Sequence, residues 1–245
     1  MPFTFSHPAI VLPFGFLTPK RVSMTGLIIG SLTPDFEYFL RMRVQSDYSH
    51  TLNGLFWFDL PLGVFLAFLF HNQVRNSLWD NLPLFLKSRF LPFRLFQWNN
   101  YFKKHWLVVI ISVLIGAVSH VFWDGFTHEH GYFVHIFPLL TQQVDVLGTP
   151  IFIFKILQHL SSLFGVLAIS YTIYKLKSCS IVLPHSSTIK YWILLLMCSF
   201  SITVIRLFNG IKIHQLGNLI VTFISAILIS LILLPLIVRP ETVKE

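Results

Sequence analysis

Five apolar runs, at residues 54–72, 106–123, 152–174, 191–209 and 217–238, constrain this chain more than any other feature. Near twenty residues at a rise of about 1.5 Å cover the roughly 30 Å of a bilayer's hydrocarbon core. Inside lipid, backbone N–H and C=O groups must find partners within the protein, and a helix supplies them within one segment. The expected fold is all-α: a polytopic integral membrane helical bundle with about five transmembrane helices. A further run, Met24 to Leu32, is cut short by Thr33-Pro34-Asp35 and predicts an N-terminal re-entrant or surface-buried helix. Composition agrees with this. Charged residues make up 11% of the 245 and hydrophobic ones 54%, whereas about a quarter of a soluble domain is charged. A soluble enzyme, a disordered chain and a fibrous repeat are thereby excluded.

Net charge is +8. Membrane proteins concentrate Lys and Arg in cytoplasmic loops, so this balance predicts a membrane-lipid partner and no nucleic acid. Segment 74–105 holds Arg75, Lys87, Arg89, Arg94, Lys103 and Lys104 against Asp80, a net of +5, while 124–151 is acidic and holds no Lys or Arg. The expected orientation puts 74–105 in the cytoplasm and 124–151 outside. Cys179 and Cys198 lack the spacing of a thiolate metal site. Residues 1–20 have no basic residue before their apolar part, and they are expected to be retained rather than cleaved as a signal. The expected organisation is a metal-site helical membrane domain over 1–175 and a C-terminal transmembrane helix pair over 176–245, in one compact unit.

Eleven histidines against ten carboxylates is an unusual ratio for so apolar a chain. The densest cluster is SHVFWDGFTHEHG, residues 119–131. His120, Asp124 and His128 are spaced by four and advance about 40° per step on a helix, so they share one face. An imidazole and a carboxylate one turn apart can reach the same divalent ion. Asp124 also ends an apolar span, where an unpaired carboxylate would be costly. A plain His–Asp hydrogen bond is the competing reading of the same spacing. His7 in FSHPA, Asp35 in TPDFEYF and His50 in DYSHT are further singular positions. His159, in QHLSS within the third span, is read either as a ligand or as part of an interhelical hydrogen bond with Ser161 and Ser162.

Taken together, an early His, a Pro-Asp, a His-Thr and an HxxxD resemble the bacterial membrane-bound metal-dependent hydrolases and, more distantly, the zinc-dependent phospholipase C and nuclease group. A closer resemblance, over about residues 1–175, is to an uncharacterised bacterial membrane family, domain of unknown function family 4184. Its members begin MPFTxSHPA and carry PDFEYF-like, SHT, SHxxWDxFTH and QHxSSxxG segments. Here these are Met1–Ala9, Pro34–Phe39, Ser49–Thr51, Ser119–His128 and Gln158–Gly165.

The resemblance implies that Asp35, His50, His120 and Asp124 hold one metal and that His7 joins a second, bridged by Asp124. His128 and His159 are candidates for additional ligation. The implied cofactor is a divalent metal, zinc foremost, with manganese or iron as alternatives. The implied activity is hydrolysis of phosphoesters such as lipid head groups by metal-activated water. Asp124 would be central to it, and Glu37 or His128 would shuttle the proton. The implied setting is a bacterial cytoplasmic membrane, with the site on the extracytoplasmic side. The rival reading is a non-catalytic membrane protein whose His/Asp cluster binds a structural metal or only knits helices together.

Overall fold

A computed structural model of the chain describes residues 3–18, 21–180, 188–208, 210 and 215–237. In chain order its helices are α1 (Pro8–Leu17), α2 (Met24–Gly30), α3 (Phe36–Arg41), α4 (Leu52–Asp80), α5 (Leu84–Phe90), α6 (Trp98–Thr127), α7 (Tyr132–Ile136), α8 (Ile153–Lys175), α9 (Thr188–Phe208) and α10 (Leu216–Ile237). Among the described residues, five segments are long and apolar enough to cross a membrane: α4, the α6–α7 stretch Trp98–Ile136, α8, α9 and α10. Each contains most of one apolar run. Positions 209 and 238, the expected ends of the last two runs, lie outside the described residues. The first helix outlasts its run, continuing past residue 72 through Arg75 and Trp79, which are buried against protein.

Strand β1 (Gln143–Val146) pairs antiparallel with β2 (Thr149–Phe152) in the stretch read from sequence as an acidic loop. Leu147 and Gly148 make the two-residue turn with φ of 55° and 81°. Positive φ at both central positions matches the twist of the flanking strands. Asp145 locks the turn by accepting from the Gly148 N–H at 2.8 Å.

The described chain divides into two compact units. One comprises Met1–Asp35, Asp47–Val64 and His105–Lys175; the other comprises Phe36–Ser46, Phe65–Lys104 and Leu176–Glu245.

In the first unit, α2 lies against α6 at backbone contact. Gly26 and Gly30 on α2 face Ser112 and Gly116 on α6, small residues at a spacing of four on both helices. A Cβ at Gly30 would stand 2.2 Å from the Val113 carbonyl oxygen, and one at Gly116 2.4 Å from that of Leu27. Ser23 caps α2 by accepting from the Gly26 N–H, and its own N–H donates to Ser112 Oγ at 2.8 Å. The short turn Thr4–Ser6 is held on α8. The Phe3 N–H donates to Ser162 Oγ at 3.0 Å, and a Cβ at Gly165 would meet Ser6 Cβ at 2.7 Å.

The second unit contains α9 and α10, with Tyr191, Leu195 and Leu234 at the centre of their packing. Ser199 and Ser230 join the two helices through a buried hydroxyl pair at 3.0 Å. Asn218 accepts from the Val44 N–H and Thr222 donates to the Met42 carbonyl, anchoring the turn that follows α3.

Candidate metal centre

His120 and Asp124 lie one turn apart near the C-terminal end of α6, on the face that continues Ser112 and Gly116 at the same spacing of four. Asp35 closes the 3-10 turn Thr33–Asp35, where Pro34 ends the apolar run of α2. His50 immediately precedes Thr51, whose hydroxyl caps α4 by accepting from the Gly54 N–H at 2.9 Å. His7 precedes Pro8, the first residue of α1. Three helix starts or stops and one helix face therefore converge, and all five side chains belong to the first unit.

Asp35, His50, His120 and Asp124 could hold a metal ion, since each offers one ligand atom and these lie within 4.8 Å of one another. His50 Nε2 stands 3.6 Å from both Asp35 Oδ1 and Asp124 Oδ2; His120 Nε2 stands 3.5 and 3.4 Å from the same two oxygens. These separations exceed hydrogen-bond length. Ligands about 2.0–2.1 Å from a tetrahedral centre stand about 3.3–3.4 Å apart, so the four separations fit the edges of a coordination shell.

The surrounding contacts turn the ligand atoms inward. His120 Nδ1 lies 2.7 Å from the Ser31 carbonyl oxygen. Nδ1 must donate there, so in the neutral ring Nε2 is the lone-pair atom facing the carboxylates. His50 Nδ1 pairs with Ser49 Oγ at 3.0 Å, again turning Nε2 to the centre. Thr4 Oγ1 donates to Asp35 Oδ2, leaving Oδ1 for the cluster. His120 Nε2, Asp124 Oδ1 and both ring nitrogens of His7 are buried without a hydrogen-bond partner. Buried polar atoms are almost always satisfied, and a cation would satisfy these. With the imidazoles in the neutral form that ligation requires, the two carboxylates would sum to the charge that a divalent ion cancels.

The candidate ligands outside the spanning helices carry shifted pKa values. Burial, reinforced by the adjacent His120, lowers His7 to about 3 even though Asp124 pulls the other way. Burial alone would raise Asp35, but His120 and His50 outweigh it and hold the carboxyl well below its ordinary value. His50 is raised, because Asp124 and Asp35 overcome the effect of its burial.

His7 stacks on His120 with ring centroids 3.7 Å apart, and its Nε2 is 3.5 Å from Asp124 Oδ1. Asp124 thus shows one oxygen to the four-residue group and the other to His7. Residues 1–236 match the family described as domain of unknown function DUF4184. The chain belongs to that family. The match includes α9 and α10, which the sequence motifs alone left outside the matching region. Comparison with curated proteins and with solved structures found no match.

Two expected participants in this DUF4184 chain are placed differently. His159 is exposed on α8, while its neighbour Gln158 is buried. The work of the QHLSS segment falls to Ser162, which receives the Phe3 N–H and donates back to the Gln158 carbonyl at 2.9 Å. Glu37 is buried in the second unit and paired with Arg41 at 2.7 Å, with Ser46 as a further donor. That arrangement makes Glu37 the fixed partner of a cation rather than a group free to pass protons.

His128 lies just past α6, its Nδ1 3.6 Å from Asp124 Oδ2 and its side chain 30% exposed. Thr4, Ser31 and Ser49, which orient the ligands, were not singled out from sequence. The nearest signal was their position beside candidate ligands, in MPFTFSH, GSLTPD and DYSHT.

Proposed function

We propose that this chain is a membrane-embedded, metal-dependent hydrolase acting on phosphoesters, with lipid head groups as the favoured substrates. The observation that carries the reading is the His120 ring, fixed by the Ser31 carbonyl so that a partnerless Nε2 faces two buried carboxylates. Asp35, His50, His120 and Asp124 would hold the first ion, and His7 with Asp124 Oδ1 would face a second. Nitrogen and oxygen donors without thiolate suit zinc, with manganese or iron as alternatives. A divalent ion there supplies Lewis acidity and a water acidified toward neutrality.

The side chains supply the rest. His50 and His128, 23% and 30% exposed at the side chain, are the least buried of the group, and on this reading water and substrate would approach from their side. His128, 3.6 Å from Asp124 and part-exposed, would carry a proton outward. The acidic stretch after α6 and the +5 segment 74–105 support a site on the extracytoplasmic side of a bacterial cytoplasmic membrane.

Complete burial of His120 and near-complete burial of Asp35 favour a second reading, a structural metal. Elemental mass spectrometry on detergent-purified wild type, His120→Ala and Asp124→Ala tests the metal. One or two equivalents, lost in both folded variants, support the site; no stoichiometric metal after reconstitution with Zn²⁺ or Mn²⁺ removes both readings. Hydrolysis of phosphodiester and phospholipid substrates by the loaded protein then separates them, since a structural ion leaves the loaded protein inactive.

A further inference from the structure

The second unit carries a different cluster. A cavity of about 460 Å³ is lined by His71, Arg75, Arg94, Trp98, Asn99 and Asn100 among others, in the size range of small-molecule sites. Arg75 is buried at 7% exposure, and among the described residues no carboxylate is one of its partners. Its guanidinium donates to the carbonyls of Phe96 at 2.7 Å and Arg94 at 3.3 Å, to Asn76 Oδ1, and to His71 Nδ1 at 3.2 Å. Those partners satisfy hydrogen bonds without cancelling the charge. A buried cation left in that condition is costly.

The neighbouring groups are also donors. Arginine cannot accept, so His71 Nδ1 must, which puts the proton of the neutral ring on Nε2. His71 lies flat on Trp98, with centroids 4.7 Å apart and planes 7° apart. The Trp98 indole N–H is buried and has no hydrogen-bond partner among the described residues. Asn72 donates to Asn99 Oδ1 at 3.1 Å, which leaves the Asn99 amide N–H groups to act as donors. Arg94 reaches the same cavity while its guanidinium is bound through two nitrogens by Asp80 at 2.6 and 2.9 Å. The cavity therefore gathers donors around one uncompensated buried positive charge.

We propose that this cavity binds a phosphate-class oxyanion, carried by a lipid head group or free in solution, with Arg75 as its counter-charge. Guanidinium and phosphate are complementary in charge and in donor geometry. The site is independent of the metal centre and uses none of its residues.

The test uses the full chain in detergent and in nanodiscs. Binding of inorganic phosphate is followed by tryptophan fluorescence and by thermal shift, with chloride as the ionic-strength control. Retention of phosphatidylglycerol against phosphatidylcholine is followed by native mass spectrometry. Saturable phosphate binding identifies the soluble source, and selective retention of phosphatidylglycerol identifies the lipid one. Either must weaken by about tenfold or more in Arg75→Gln and less in Arg75→Lys. Should Arg75→Gln fail to fold, Trp98→Phe keeps an aromatic ring on His71, removes the indole N–H, and must weaken binding several-fold. No saturable phosphate binding and no lipid selectivity in wild type, or equal binding by wild type and the folded variants, would overturn the proposal.

Discussion

The Ser31 carbonyl oxygen sits 2.7 Å from His120 Nδ1, and the backbone contact that puts it there is the packing of Gly30 and Gly116. Helix packing and ligand orientation are one arrangement. The face of α6 that lets α2 approach is, one turn later, the face that carries the candidate ligands.

Gly116→Ala should therefore disturb the metal centre without touching it. Its Cβ would fall 2.4 Å from the Leu27 carbonyl and 2.6 Å from the Ser31 N atom, so α2 must move away. Overpacking of this kind costs about 1–3 kcal/mol. The expected result is a lower Tm together with weaker zinc retention. A variant that is destabilised yet binds zinc like wild type would show that packing and ligand orientation are separable.

Gly165→Ala and His159→Ala should behave oppositely despite their closeness in sequence. The first drives a Cβ to 2.7 Å from Ser6 Cβ, displacing the turn that leads into His7. Its expected effect is loss of a second metal equivalent while the four-residue group keeps the first. His159 is exposed, so its removal should change stability by less than about 0.5 kcal/mol and leave metal content alone. Metal stoichiometry of the two purified variants checks both statements.

Acid should weaken the metal-free protein through His7. Its folded pKa of about 3 lies below the 6.5 of the free side chain, so the unfolded chain takes up that proton first. The His7 contribution to stability is lost as pH falls from about 6.5 toward about 3. Chemical denaturation of the chelated wild type and His7→Ala across that window measures it as the difference between the two profiles, and parallel profiles would contradict the assignment.

Zinc affinity should rise with pH. His50 is raised above its ordinary value by Asp124 and Asp35, yet ligation needs its neutral form, so binding expels a proton. Chelator competition at about pH 6 and about pH 8 should show tighter binding at the higher value. Equal affinities would place His50 outside the coordinating set.

Much of this architecture was legible in the residues. The apolar runs are long, and lipid leaves the backbone few alternatives, so the five spanning segments were readable from their length. The spacing of His120 and Asp124 was equally direct, because helical period alone fixes their common face. Asp35, His50 and His7 were less accessible to this reasoning. They sit at helix boundaries far apart in sequence, and family likeness rather than periodicity pointed to them. The hairpin Gln143–Phe152 escaped because its strands are short, β1 exposed throughout and β2 at most half-buried, with no buried face to mark an alternation. In the QHLSS segment the alternatives stood side by side, a histidine ligand or a polar contact between segments, and the contact that forms uses Ser162 and Gly165.

The attachment of the Thr4–Ser6 turn to Ser162 and Gly165 also bears on biogenesis. His7 is made before the other candidate ligands, but the turn that leads into it rests on α8, among the later parts of the first unit to be made. Asp35 and His50 can meet His120 and Asp124 once α6 has been inserted. His7 stacks on His120 of that same helix, but the turn before it gains its anchor only with α8, so a chain stalled after α6 would leave the Thr4–Ser6 turn without Ser162 and Gly165.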